Sequence, residues 1–177
     1  MTQLDQDLTN IRKHGIVFGL AGYSGAGKTT LAEKLISVFS NMGMNVSSIK
    51  HAHHDFDPDT EGKDSWRHRK AGANQMIISS SKRRVKFTET SDAKEADLNT
   101  LLGELSSSDI VLIEGYKKID FPKIEIHRKS LEHDFLFKSV PGIKVIATDF
   151  IYDDIGIEQI KLDDTKAIAE RILRGFE

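Results

Sequence analysis

No cysteine occurs among the 177 residues. Disulfides, thiolate nucleophiles, zinc–thiolate sites and iron–sulfur clusters are therefore excluded. Proline is nearly as scarce: Pro58, Pro122 and Pro141 are the whole set, and none interrupts a strongly periodic segment. An excess of charge of one sign is also missing, since 25 Lys and Arg face 27 Asp and Glu for a net charge of -2. That balance argues against a chain that coats nucleic acid or an anionic membrane. No run approaches the roughly 18 consecutive apolar residues of a membrane span. The opening MTQLDQDLTNIRKHG lacks a basic start followed by an apolar stretch, so no secretory leader is expected and a cytoplasmic location is. What is present, 38% hydrophobic and 29% charged residues, is the make-up of a folded globular chain. At about 150 residues per domain, one domain over residues 1–177 is expected.

The apolar residues fall into two periods. Ile16–Ala21 (IVFGLA), Asp109–Glu114 (DIVLIE) and Lys144–Thr148 (KVIAT) read as buried strands and Val46–Lys50 as a further strand. Leu31, Leu35, Val38, Phe39 and Met42 recur at helical spacing over Thr29–Met42. Helices are also expected at Ser65–Ala71, Glu95–Leu105 and Asp164–Phe176, the last capped by Asp163 or Asp164. Lys123–His127 alternates isoleucine with polar residues, the pattern of an exposed or edge strand. Asn74–Ser79 and Val85–Thr90 flank the polar link SSSKRR and read as a β-hairpin. Strands alternating with helices predict an α/β fold with a mostly parallel sheet. The unbroken runs IVFGLA and IVLIE call for helices on both faces. Ligands of such sheets lie beyond the carboxyl ends of the strands, so the loops after Ala21, Lys50, Glu114 and Thr148 should converge on one site.

At the first of these ends, residues 22–29 (GYSGAGKT) fit the phosphate-loop pattern G-x-x-x-x-G-K-[ST]. Glycines at 22, 25 and 27 permit tight turns, so that backbone N–H groups of Gly22, Ser24, Gly25, Ala26 and Gly27 can point into one concavity. The helix that follows, with Thr30 in its first turn, adds the positive end of its dipole. Lys28 is expected to reach the β- and γ-phosphates of a nucleotide, and Thr29 to ligate Mg²⁺. A buried strand before the pattern and a helix after it separate a P-loop NTPase-type fold from a generic glycine-rich turn. Glu114 ends the strand signature DIVLIEG. A carboxylate there can hold Mg²⁺ or orient the nucleophile, a catalytic role beside that of Lys28; the competing reading is an ordinary solvated glutamate. The base-reading pattern [NT]-K-x-D is missing. Asp149, directly after KVIAT, stands at a strand end suited to accept from guanine N1–H and the exocyclic amine, with a turn or capping role as the competing reading.

Together, GLAGYSGAGKTTL (19–31), IKHAHHDFD and GKDSWRHRKAGA (within 49–72), FTET (87–90), VLIEGYK (111–117) and VIATD (145–149) resemble the molybdopterin-guanine dinucleotide biosynthesis protein B (MobB) family. The phosphate loop alone is generic; KHxHHD, GKDSxxxRKAGA and xEGYK at these spacings are far more specific. The resemblance implies a homodimeric GTP-binding adaptor with weak GTPase activity, taking GTP and Mg²⁺. It further implies an accessory role when guanosine monophosphate is attached to molybdopterin, with a separate nucleotidyltransferase partner performing the transfer. The N-terminal extension and the C-terminal helix match loosely and carry no assigned function.

His51, His53 and His54 lie ahead of Asp55 and Asp57. The stretch reads as a switch-like loop beside the γ-phosphate in which Asp55 orients water or Mg²⁺, with a histidine–carboxylate metal site as the competing reading. Arg69 and Lys70, inside the matching stretch, are candidates for the phosphate of molybdopterin, because an arginine fork suits phosphate bidentately. A solvated helix face is the plainer alternative. Two other functions stay open: a small-molecule kinase on the same phosphate loop, and a GTPase that delivers a metal such as nickel. Finally, residues 74–90 hold more β-character than a link between two helices needs. A lone hairpin is marginal in water and exposed strand edges pair with a symmetry mate. A homodimer through Met76–Phe87 is therefore expected, the hairpin being an extension of the single domain, with a monomer whose hairpin folds onto its own sheet edge as the plainer alternative.

Overall fold

A computed structural model describes residues 8–52, 56–90 and 95–176. In chain order the regular elements are β1 (Ile16–Ala21), α1 (Lys28–Asn41), β2 (Val46–Lys50), α2 (Asp64–Lys70), β3 (Gln75–Ser79), β4 (Arg84–Thr88), α3 (Leu98–Glu104), β5 (Ile110–Glu114), β6 (Lys123–His127), β7 (Ile143–Thr148), β8 (Glu158–Lys161) and α4 (Thr165–Leu173). They fall into two compact units. One holds the described residues up to His51 and from Leu98 onward; the other holds those from Ala52 to Asp97.

The larger unit is built on a six-stranded sheet, ordered β2-β5-β1-β6-β7-β8, with every neighbouring pair parallel. Its apolar strands serve both faces. On one, Phe18, Leu20, Leu112, Ile124 and Ile126 pack with Leu31, Leu35 and Phe39 of α1 and with Ile168 and Ile172 of α4. On the other, Val17, Val111 and Ile113 pack with Leu98 and Leu102 of α3. Successive residues of β1 and β5 thus feed two cores, and each fully buried Leu, Ile or Phe contributes about 1.5–3 kcal/mol of transfer free energy. The result is the expected α/β class: a parallel sheet with helices on both faces and, separately, a small antiparallel hairpin. Of the two candidate caps for α4, Asp164 serves: its carboxylate accepts from the Ala167 N–H at 2.9 Å.

One expectation is corrected. Lys123–His127 is neither exposed nor an edge: β6 lies between β1 and β7, and all five residues are buried. Its polar members are tolerated because each finds partners. Lys123 Nζ donates to the carbonyls of Pro141 (2.9 Å), Phe121 (3.2 Å) and Ile119. The Glu125 carboxylate accepts the backbone N–H groups of Leu136 and Phe137, both at 2.8 Å. The His127 ring packs against Phe135 and Tyr152, with centroids 4.3 and 5.5 Å away. Leaving any such group unpaired would cost about 1–3 kcal/mol, so these contacts let a strand of alternating polarity occupy the sheet interior. β8 (EQIK) has no apolar period and nothing in its sequence predicts it; parallel pairing with β7 defines it.

The topology prepares one end of the sheet for ligand. Leu20 and Lys50 both pair with Glu114, so β1, β2 and β5 end level. The strand order reverses at β1, with β5 and β2 on one side and β6 on the other. The crevice at such a switch point is where ligands of open α/β sheets bind. Among the described residues no helix is long and apolar enough to cross a membrane.

The smaller unit holds α2 and the β3–β4 hairpin, in which Met76 faces Phe87 and Ile78 faces Val85. Among its described residues only Ser65 is buried. Arg69 supplies the order that an apolar core would otherwise give. Its guanidinium donates to Asp57 (2.8 and 3.2 Å), Asp59 (3.2 Å) and Glu89 (2.6 Å), and stands 4.8 Å above the Phe87 ring. The hydrogen bonds from Arg69 hold the Asp57 carboxyl below its ordinary pKa. Ile77 and Ile78 are left 58% and 40% exposed.

Candidate functional site

The loop between β1 and α1 has the backbone its glycines allow. Gly25 and Gly27 sit at φ 78° and 100°, in the left-handed region that other residues rarely adopt. Gly27 is also the N-cap of α1 and brings no side-chain cap, so the first N–H groups of a 14-residue helix lack a side-chain acceptor there. Those donors, with the helix dipole, suit an anion. Gly22 and Ala26 are buried under the loop, whereas Ser24 and Gly25 lie exposed on it.

Lys28 folds back across the loop, donating from Nζ to the carbonyls of Gly22 (3.1 Å) and Tyr23 (3.0 Å). Burial and then the nearby Lys117 ammonium lower its pKa, with Glu114 opposing them and Lys50 adding to them. Thr29 Oγ1 lies 3.4 Å from each oxygen of Glu114, and Glu114 is 3.7 Å from Lys50 Nζ. A hydroxyl and a carboxylate brought face to face are hard oxygen donors of the kind that Mg²⁺ takes, so these residues fit that ion.

After Glu114 the chain turns sharply. Gly115 and Tyr116 follow one another at φ 109° and 49°. A side chain at 115 would bring its Cβ within 2.4 Å of the His51 Cβ, so only glycine fits. The Tyr116 ring packs on His51, centroids 4.9 Å apart, while the turn returns Lys117 to the phosphate loop with Nζ 5.5 Å from the Tyr23 ring centre. Left-handed backbone at a tyrosine costs of order 1–3 kcal/mol and persists only where packing enforces it.

On the other side of the loop is a cavity of about 310 Å³ lined by Gly27, Thr30, Lys34, Arg128, Asp149 and Asp163, among others. Asp149 Oδ1 accepts the Lys129 N–H at 2.9 Å, and its Oδ2 lies 3.5 Å from the Arg128 guanidinium. Arg128 Nε in turn donates to the Ala26 carbonyl at 2.9 Å. Gly22, Ser24, Gly25, Ala26, Gly27, Lys28, Thr29, Thr30, Glu114 and Asp149 therefore gather at one end of the sheet. Arg69 belongs to the other unit, where its fork is engaged by the carboxylates of Asp57, Asp59 and Glu89. Asp55, with His53 and His54, lies outside the described residues.

Arg128 and Lys117 lie at the site without a role assigned to them from the sequence. The signal for Arg128 was its place immediately after a strand, and misreading β6 as an edge strand hid that this strand borders β1. Lys117 was visible only as the end of xEGYK, and that it reaches the loop depends on the turn at Gly115 and Tyr116.

A family model described as "Molybdopterin guanine dinucleotide synthesis protein B" matches residues 17–149. The molybdopterin-guanine dinucleotide biosynthesis adapter protein of Haemophilus influenzae is 43% identical over 115 residues, covering 65% of this chain and 65% of that protein. The adapter protein of the same name from Escherichia coli is 43% identical over 119 residues, covering 66% and 68%. The matched stretch thus spans about two thirds of those relatives' lengths. A crystal structure of molybdopterin-guanine biosynthesis protein B superposes with a TM-score of 0.71 at 25% identity, covering 90% of this chain and 99% of the other.

Proposed function

Since the chain belongs to the molybdopterin guanine dinucleotide synthesis protein B (MobB) family, we propose that it is a GTP-binding adapter in molybdopterin guanine dinucleotide synthesis, acting beside a separate nucleotidyltransferase in the cytoplasm. The observation that carries the nucleotide reading is the phosphate loop at the strand-order switch, with Lys28, Thr29 and Glu114 gathered on it. The N–H groups of the loop and of the first turn of α1 hold the β- and γ-phosphates. Lys28, released from the Gly22 and Tyr23 carbonyls, supplies the cation. Thr29 and Glu114 hold Mg²⁺, which when bound neutralises charge on the phosphates. Asp149, at the mouth of the adjoining cavity, accepts from guanine.

Hydrolysis by the protein alone is slow, about 10⁻⁴–10⁻³ s⁻¹, as in GTPases without a supplied arginine, and slower still in Glu114→Gln. The chain works as a homodimer in which the apolar face of the hairpin (Met76, Ile78, Val85 and Phe87) meets its copy. Equilibrium binding of GTP, ATP and xanthosine triphosphate, with and without Mg²⁺, tests the reading. Wild type should prefer GTP to ATP, and Asp149→Asn should lose GTP and gain xanthosine triphosphate, because its amide donates where xanthine presents a carbonyl. A wild type without affinity for any of the three refutes the proposal. Fast phosphate transfer to an added small molecule would make the chain a kinase instead.

A further inference from the structure

Arg128 bridges the two halves of the candidate site. Its Nε holds the Ala26 carbonyl at 2.9 Å and its terminal nitrogen lies 3.5 Å from Asp149 Oδ2. A Cβ at Gly27 would come within 3.4 Å of the same guanidinium, so the fork lies against the loop backbone itself. The peptide following Ala26 is trans, as is every peptide bond described. A trans peptide points its N–H opposite to its C=O. Holding the Ala26 carbonyl toward Arg128 therefore turns the Gly27 N–H the other way and fixes one of the loop's phosphate donors. Asp149 in turn stands within ion-pair distance of Arg128, and is itself oriented by the Lys129 N–H.

We propose that Arg128 is a positioning residue that couples base recognition to the phosphate loop: the carboxylate that reads guanine also orients the guanidinium that shapes the loop. The inference rests on the guanine-nucleotide reading of this site and goes beyond it, because it makes base choice and phosphate affinity interdependent. A planar five-donor fork can serve a carbonyl and a carboxylate at once; a lysine ammonium lacks that fixed geometry.

A double-mutant cycle on the full chain tests it, with GDP and ADP as titrants and thermal unfolding of each variant as the folding control. Arg128→Ala should weaken GDP binding at least about tenfold and narrow the preference for GDP over ADP. In the Asp149→Ala background the same change should cost at least about fivefold less than in wild type. Arg128→Lys should restore neither. Losses that simply multiply, or an unchanged GDP-to-ADP preference in Arg128→Ala, overturn the coupling while leaving the guanine-nucleotide reading intact. A wild type that binds no GDP overturns both. If Arg128→Ala fails the folding control, Arg128→Gln, which keeps an N–H donor without the charge, takes its place in the cycle under the same criteria.

Discussion

The unit around the parallel sheet and the unit between Ala52 and Asp97 are held by different physics. In the first, Phe18, Leu35, Phe39, Val111 and Ile113 are wholly buried, and the one buried ammonium, among the described residues, is Lys123. That ammonium is surrounded by uncharged carbonyls and an aromatic ring. In the second, no described apolar residue is buried, and the organising cation is Arg69 among three carboxylates, of which Asp57 and Glu89 are partly exposed. A piece this small buries too little apolar surface to stand alone, and a two-stranded hairpin adds little in water. The contrast teaches that the sheet unit carries the stability and the candidate site, while the hairpin presents surface.

The largest test of that contrast is truncation of apolar side chains. Phe18→Ala should cost about 3–5 kcal/mol in denaturant unfolding, since the ring leaves a void in a closed core. Ile77→Ala should stay within about 0.5 kcal/mol in the monomer, as at most surface positions. Similar losses at both sites would break the comparison.

The two units should also answer to pH, in different ranges. Burial pushes the Lys123 pKa down to about 8, from about 10.4 in an unfolded chain. Between those values the unfolded chain binds more protons, so stability rises with pH across that window, by up to about 3 kcal/mol. Lys123→Met should flatten this slope in unfolding measured from pH 7 to pH 10.5. Asp57 shifts stability in the same direction, but in the acid range. Its pKa is depressed, so its contribution is present above the ordinary aspartate value of about 3.9 and is lost as pH falls below it. Hydrogen exchange in residues 57–89 should accelerate there before exchange in β1 and β5 does.

Binding should separate the units next. Lys28→Ala should weaken GTP at least tenfold, about 1.4 kcal/mol, whereas Arg69→Ala should leave GTP affinity within about twofold and raise hydrogen exchange only in the hairpin unit. Loss of GTP binding in a folded Arg69→Ala would place that residue in the nucleotide site after all. The last test concerns assembly: Val85→Glu with Phe87→Glu, the second of which also removes the ring beneath Arg69. Light scattering should show a dimer for wild type and a monomer for the variant, with GTP affinity unchanged. A monomeric wild type, or a variant that stays fully dimeric, removes the hairpin as the interface.

Much of this was legible in the residues. IVFGLA and IVLIE predict a two-faced parallel sheet because helices must cover both sides of an unbroken apolar strand. The phosphate loop was readable because its glycines, lysine and threonine act at fixed offsets along one short stretch. β6 was misread for an equally local reason. KIEIH has the alternation of a half-solvated strand, and only partners at Leu136, Phe137, Phe135 and Pro141 make it an interior one.

By itself, the sequence determined what depends on neighbours along the chain: the periodicity of strands and helices, the phosphate-loop backbone and an aspartate cap on α4. The tertiary structure alone decided what depends on residues brought together from afar. It seated Lys123, Glu125 and His127 in the core, set Arg128 between Ala26 and Asp149, returned Lys117 to Tyr23, and paired Arg69 with three carboxylates. The reason is the same in each case. Whether a polar side chain is buried, free or occupied depends on the partners that reach it, and those partners are fixed by the strand order rather than by the residue's own surroundings in the chain.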